Sequence, residues 1–372
     1  MFMLVRRCLL ALGAVFGGAP SLALASQVSS EPANPVAPSA VLAQTGAPAV
    51  AGLVGDADKV VATVADGVRR VGGADIVQPS DPWHIGSNTK AMTAALYARL
   101  VEARQARWGA TLPELFPGVT MDPAWKAVTI EQLLSHRSGI GDGPVMAGGW
   151  LMRAHADTRP LTVQRAELAG QVLAAPPTGK TGTFEYANVN YILAGAAIET
   201  IVGTSWEDAI QLRLFRPLGI TSAGFGAPEG AAPWGHLPKP GGGLTPVDPA
   251  GPSDNPRALG PAGTVHMTLE DHARFARLFL KGGAILSADS IKRLTTPAPG
   301  ETYALGWGFA PARPWSNGPI LAHEGSNTMW HEAVIIAPGR GAVLIAACNA
   351  GPEASKGAAM RLAQQLQKAY VA

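Results

Sequence analysis

Ser87 and Lys90 stand three residues apart in His84-Ile-Gly-Ser-Asn-Thr-Lys90, at the expected start of a helix, where they share one face and can touch. A serine hydroxyl is a weak nucleophile until a neighbouring base takes its proton. A lysine can be that base where burial or nearby positive charge lowers its pKa from about 10.4. The helix N-terminus would add unpaired N–H groups for an oxyanion. The same tetrapeptide also suits an N-cap serine followed by a solvated lysine, so it needs support elsewhere; it is the only S-x-x-K in the chain.

Support comes from two later segments. In Phe184-Glu-Tyr-Ala-Asn188, Tyr186 is the only one of five tyrosines followed two residues later by Asn. A tyrosine beside an ammonium loses its proton more easily and can pass one to a leaving group, while an asparagine amide can hold a lysine or a substrate carbonyl. A turn tyrosine with a capping asparagine is the plainer alternative. In Leu321-Ala-His-Glu-Gly-Ser-Asn327, Gly325 could let a substrate backbone approach a strand edge.

Taken in order, Ser87 with Lys90, Tyr186 with Asn188, and His323-Glu324-Gly325 resemble the three signatures of the class C β-lactamase and penicillin-binding family. Leu133–Ile140, Gly263–Asp271, Gly306-Trp-Gly308, Met329-Trp-His331 and Cys348-Asn349 are similar as well, so the likeness spans roughly 47 to 370. The resemblance implies an acyl-enzyme mechanism: Ser87 attacks a carbonyl and Lys90 and Tyr186 handle protons, with the choice of base open because coupled groups share their protons. It also implies that Asn188, His323 and Gly325 meet the substrate, that the N–H groups of Ser87 and Ser326 form the oxyanion hole, and that no metal or organic cofactor is needed.

Departures bear on the substrate. Lys180-Thr181-Gly182 imitates the third signature but lies in a Pro and Gly turn four residues before Tyr186, so it is set aside as a decoy. Relatives with Lys-Thr-Gly at the third motif use that lysine and threonine to hold a substrate carboxylate. Here Glu324 would repel one unless it points away. The expected substrates are therefore small esters, amides or peptides for an esterase, a D-amino-acid peptidase or amidase, or a weak β-lactamase. The contrasting possibility is a catalytically silent penicillin-recognising sensor or cell-wall scaffold.

Other chemistries lack their motifs. No G-x-S-x-G elbow is present, neither His323-Glu324 nor His331-Glu332 continues into H-E-x-x-H, and phosphate-loop patterns are absent. His136 follows a predicted helix, where a hydrogen-bonded structural role is expected.

The elements that must position these residues are partly legible. Val54 to Val64 and Val68 to Val71 suggest a meander of strands. Met92, Leu96 and Leu100 mark a helix after Gly86. Thr129 with Gln132, and Thr268 with Asp271, are helix-start patterns. Helices are also expected over Asn190–Val202, ending at Gly203, over Trp206–Phe215, and at Leu362, Leu366 and Tyr370. The run 219–263 reads as an ordered loop bordering the site. Residues 333–337 and 342–347 flank a turn as a buried hairpin. Strands at both ends predict an α/β (α+β) domain closed by its two termini, with a helical region inserted between them. The resemblance implies that this is the β-lactamase/transpeptidase-like fold, an antiparallel sheet with flanking helices and the inserted region over about 87–264.

Composition agrees. Of 372 residues 47% are hydrophobic and 15% charged, which suits a large buried core. Residues 1–25 read as a secretory signal, with Arg6 and Arg7, an apolar run too short to span a bilayer, and Ala23-Leu24-Ala25 before Ser26. Export to the periplasm or medium is expected, without stable membrane insertion after cleavage. Residues 26–46 read as a flexible spacer. Losing the leader would balance basic and acidic residues at 27 each, so no field favours nucleic acid. Cys348 would remain unpaired, most simply as a buried small hydrophobe. The oligomeric state is left open.

Overall fold

A computed structural model describes residues 28–146, 149–283 and 285–371; the expected signal segment lies outside them. The first helix among the described residues, α1 (Pro38–Thr45), has proline in its first turn and ends at Gly46. Its Val41 is buried in one cluster with Leu362 and Leu366 of the C-terminal helix. The expected spacer is therefore corrected over 38–45: proline and glycine bracket a short helix that has an apolar surface to dock on.

Strands β1 (Ala49–Gly55) and β2 (Val60–Gly67) form a hairpin, turned where Asp56 Oδ1 accepts from the backbone N–H groups of Asp58 and Lys59. The short β3 (Pro82–His84) then leads to α2 (Thr89–Glu102). Next come α3 (Ile130–Leu134), opened by the Thr129–Gln132 capping box expected from sequence, and then α4 (Leu161–Ala174) and α5 (Asn188–Val202), which ends at Gly203. The run 219–263 contains β4 (Gly224–Phe225) and a small hairpin of β5 (Gly235–Pro238) and β6 (Leu244–Val247). It is followed by β7 (Val265–Thr268) and α6 (Leu269–Ala276), whose N-cap Thr268 side chain accepts from the Asp271 N–H. The chain closes with β8 (Gly308–Ala310), β9 (Ile320–Ser326), β10 (His331–Ala337), β11 (Ala342–Cys348) and α7 (Ala358–Tyr370).

Six strands build the main sheet in the order β2-β1-β11-β10-β9-β8, every neighbouring pair antiparallel. Both termini thus contribute to one sheet, and the helical region lies between them in sequence. β10 and β11 are buried along their whole lengths, which explains why they read as continuous apolar runs instead of alternating ones. Val334, Ile336, Val343 and Ile345 face the helical region. Ile335, Leu344 and Ala346 face α1 and α7. Each fully buried Val, Ile or Leu stabilises the fold by about 1.5–3 kcal/mol relative to exposure, so the two faces lock the central sheet between two cores. Cys348 lies on the α7 side, where burial pushes its thiol up to about 12. Among the described residues no helix is long and apolar enough to cross a membrane.

Candidate active site

β3 delivers the chain to a single 3-10 turn, Gly86–Asn88, which runs directly into α2. This turn presses against β9. A Cβ on Gly325 would stand 1.9 Å from the Ile85 carbonyl oxygen and 2.8 Å from the Ser87 nitrogen, and one on Gly86, at φ +53°, would stand 2.3 Å from the Ser326 nitrogen. Only two bare positions permit the approach, and it brings the Ser87 and Ser326 backbone nitrogens to one place. The Ser326 hydroxyl is used elsewhere, donating to the Trp330 carbonyl at 2.6 Å.

Lys90, in the first turn of α2, has a fully buried side chain with three oxygen neighbours: Ser87 Oγ at 2.9 Å, Asn188 Oδ1 at 2.8 Å and the Ala262 carbonyl at 2.7 Å. Burial pulls its pKa from 10.5 down to about 7, against the attraction of Asp142. As an ammonium, Lys90 donates to all three oxygens. As a neutral amine it keeps its two protons for the two carbonyl oxygens, which can only accept, and turns its lone pair to the hydroxyl, the one neighbour with a proton to give.

Tyr186 and Asn188 arrive at the N-terminal end of α5. The Tyr186 ring centroid lies 4.9 Å from Lys90 Nζ and 4.3 Å from the His136 ring. Asn188 cannot rotate freely, because its Nδ2 donates to Asp142 Oδ2 at 3.1 Å while Oδ1 accepts from Lys90. Asp142 also accepts from the Val189 N–H, and burial raises its pKa. Sequence reasoning missed Asp142. It follows Gly141 in a segment without periodicity, and only its placement beside Asn188 reveals it.

His323 corrects an expectation. It is 4% exposed, and both ring nitrogens are engaged: Nδ1 with Asn88 Oδ1 and Nε2 with the Tyr303 hydroxyl, each at 3.1 Å. Asn88 Nδ2 donates to Glu332 Oε2 at 2.8 Å, so Oδ1 must accept from His323 Nδ1–H, and Nε2 accepts from Tyr303. Burial first, then the Lys90 charge, takes His323 down to about 3. It is a neutral ring in a buried polar row ending at Glu332 and His272, and it offers no nitrogen to a substrate. Asn88, Tyr303 and Glu332 escaped the sequence reading because only the β9–β10 register, which sets Glu332 opposite Gly325, brings them here.

Glu324 also corrects an expectation. Successive strand residues face opposite sides, and Glu324 points to the sheet face away from His323, where its Oε2 meets His331 Nε2 at 2.8 Å. The predicted repulsion of a substrate carboxylate loses its geometric basis.

His136 is buried, its pKa driven well below 6.5 chiefly by burial, and its Nδ1 accepts from the Ala187 N–H at 3.3 Å. It supports the Tyr186 segment. Lys180-Thr181-Gly182 is a turn tied to the 137–138 backbone, with Gly182 N–H donating to Arg137 O at 2.8 Å and Thr181 Oγ1 to Ser138 O at 3.1 Å. The β8 ladder meets β9 only at Ile320–Ala322, so among the described residues the 323–326 edge has no strand partner on that side. An extended substrate can lie along such an edge.

The fold and the gathered motifs are those of the β-lactamase/transpeptidase fold family of serine hydrolases. The family model for Beta-lactamase matches residues 38–368, and the chain belongs to that family. Penicillin-binding protein 4 of Amycolatopsis lactamdurans is 32% identical over 308 residues, 77% of each chain. An unguisins hydrolase of Aspergillus campestris is 26% identical over 70% of this chain and 49% of its own length. Among solved structures, the octameric penicillin-binding protein homologue of Pyrococcus abyssi superimposes with a TM-score of 0.70 at 22% identity, covering 89% of this chain and 77% of the other. The D-amino acid amidase of Ochrobactrum anthropi SV3, complexed with L-phenylalanine amide, gives 0.71 at 19% identity over 89% and 96%. These two structures establish the shared fold.

Proposed function

We propose that this protein is a serine hydrolase that cleaves small esters or amides through an acyl-enzyme on Ser87. The carrying observation is the ring of three oxygens around Lys90 Nζ, of which only the Ser87 hydroxyl can give a proton. In the proposed cycle, the Ser87 proton passes to neutral Lys90 as Oγ bonds to the substrate carbonyl carbon, and the carbonyl electron pair moves onto an oxygen held by the Ser87 and Ser326 N–H groups. The leaving group departs with a proton relayed through Lys90 and Tyr186. Water then cleaves the acyl ester by the reverse route and returns the serine proton.

The preferred substrates lack a free carboxylate beside the scissile bond. Along the 323–326 edge, His323 is neutral with both nitrogens occupied, Glu324 faces the other side of the sheet, and Gly325 and Ser326 carry no charge, so this stretch supplies no cation. Relatives and structural neighbours named as a hydrolase, an amidohydrolase and an amidase support hydrolysis of an amide or related bond. The test is a panel of p-nitrophenyl esters, D-amino-acid amides, D-alanyl peptides and nitrocefin, run on wild type and Ser87→Ala. Neutral esters and amides should turn over fastest, and Ser87→Ala should lose them all. Preferential turnover of the anionic nitrocefin would refute the substrate assignment. Labelling of Ser87 without turnover would point instead to a sensor.

A further inference from the structure

Asp254 lies in the Gly and Pro run before β7 and is nearly buried, its side chain 8% exposed. Its two carboxylate oxygens hold two different donors. Oδ2 meets His84 Nε2 at 2.9 Å, and Oδ1 accepts from Asn327 Nδ2 at 2.8 Å. Each donor leads to one backbone nitrogen of the proposed oxyanion hole.

On one side, the Gly86 N–H donates to His84 Nδ1 at 3.1 Å. That bond makes Nδ1 the acceptor and puts the ring proton on Nε2, aimed at Asp254. His84 has no exposed side-chain surface and stacks on Trp330 with ring centroids 5.6 Å apart, so the imidazole is a rigid strut between Asp254 and the residue preceding Ser87. On the other side, Asn327 directly follows Ser326. Its Oδ1 accepts from the Met329 and Trp330 N–H groups, both at 3.1 Å, which curls the chain after β9 and leaves Nδ2 for Asp254. Every donor in this cluster has an acceptor, and the single carboxylate joins its two halves.

We infer that Asp254 is a positioning residue that sets the spacing of the Ser87 and Ser326 N–H groups, and so the fit of the oxyanion hole to the tetrahedral intermediate. The inference rests on the proposed acyl-enzyme reading. A carboxylate is required because both neighbours are donors. An asparagine would present its own N–H₂ to one of them, releasing one side of the hole while leaving the loop otherwise packed. Displacing one N–H donor by a fraction of an ångström to 1 Å costs about 10- to 100-fold in rate.

The experiment compares wild type, Asp254→Asn, Asn327→Asp and the double exchange on p-nitrophenyl butyrate, with thermal melts of each. In the double exchange the carboxylate and the amide trade places. The carboxylate, now on the loop after β9, accepts from the Met329 and Trp330 N–H groups and from the relocated amide, whose oxygen takes the His84 proton, so every bond is restored with roles reversed. Asp254→Asn should lose about 10- to 100-fold in kcat with KM within about twofold, and should melt somewhat below wild type while staying fully folded at the assay temperature. Asn327→Asp, which sets two carboxylates face to face, should be at least as impaired, and the double exchange should recover most of the kcat. Undiminished kcat in Asp254→Asn, a kcat loss seen only at temperatures where the variant is already unfolding, or a folded double exchange that stays inactive would each overturn the assignment. Failure of the underlying reading shows separately, as turnover that survives Ser87→Ala.

Discussion

Lys90 Nζ sits 2.8 Å from Asn188 Oδ1, and that contact joins the first two motifs into one proton-handling unit although 98 residues separate them. With the lysine near 7, the fraction able to accept the serine proton rises across neutral pH. The value of kcat/KM for a neutral ester should therefore climb with pH through an apparent pKa of about 7, and Lys90→Arg should remove most activity. A rate flat from pH 5 to 9 would contradict the base assignment. The same shift has a stability sign: between about pH 7 and 10.5 the unfolded chain binds more protons at Lys90 than the folded one, so this residue's contribution makes stability rise with pH over that window. His323 contributes stability that is present above 6.5 and lost as pH falls towards 3.

Asp142 acts on Lys90 in two ways, fixing the Asn188 amide and attracting the lysine charge. Asp142→Asn removes the charge and so should move the acid limb of the rate profile to lower pH while reducing the maximum rate. An upward move would show that the carboxylate does not stabilise the ammonium.

Glu324 pairs with His331 on the sheet face away from the nucleophile. Glu324→Thr should therefore leave acylation by carboxylate-bearing substrates within about twofold of wild type, the range expected of a change remote from the chemistry. A large gain for such substrates only would restore the repulsion argument.

Glu332 is the acceptor that fixes Asn88 and, through it, the His323 tautomer. Glu332→Gln leaves one buried donor facing another and should cost about 1–3 kcal/mol in urea unfolding, with a fall in kcat. An unchanged melt and rate would remove the polar row from the account.

What could be read from sequence divides by range. Ser87 with Lys90, Tyr186 with Asn188, and the helix starts at Thr129 and Thr268 were legible because their geometry is set within one helical turn or a few residues. The hairpin over 333–347 showed as two buried runs, whereas the expected meander was right only in part: its strands are Ala49–Gly55 and Val60–Gly67, and Val68–Val71 is a single bridge followed by a turn. Asp142, Asp254, Tyr303 and Glu332 were not legible, because each matters only through partners brought in by long-range strand register or by a loop without periodicity. The orientations of His323 and Glu324 failed for the same reason: strand alternation had to be combined with the contacts of each face. Helix α1 did leave a signal, Pro38 and Gly46 at its ends, hidden by its small-residue composition.

The most direct measurement is peptide mapping after exposure to a fluorophosphonate, in wild type and Ser87→Ala. The account predicts a single adduct on Ser87, formed fastest at pH values where Lys90 is neutral and absent from the variant. An adduct on another residue, or equal labelling of Ser87→Ala, would contradict it.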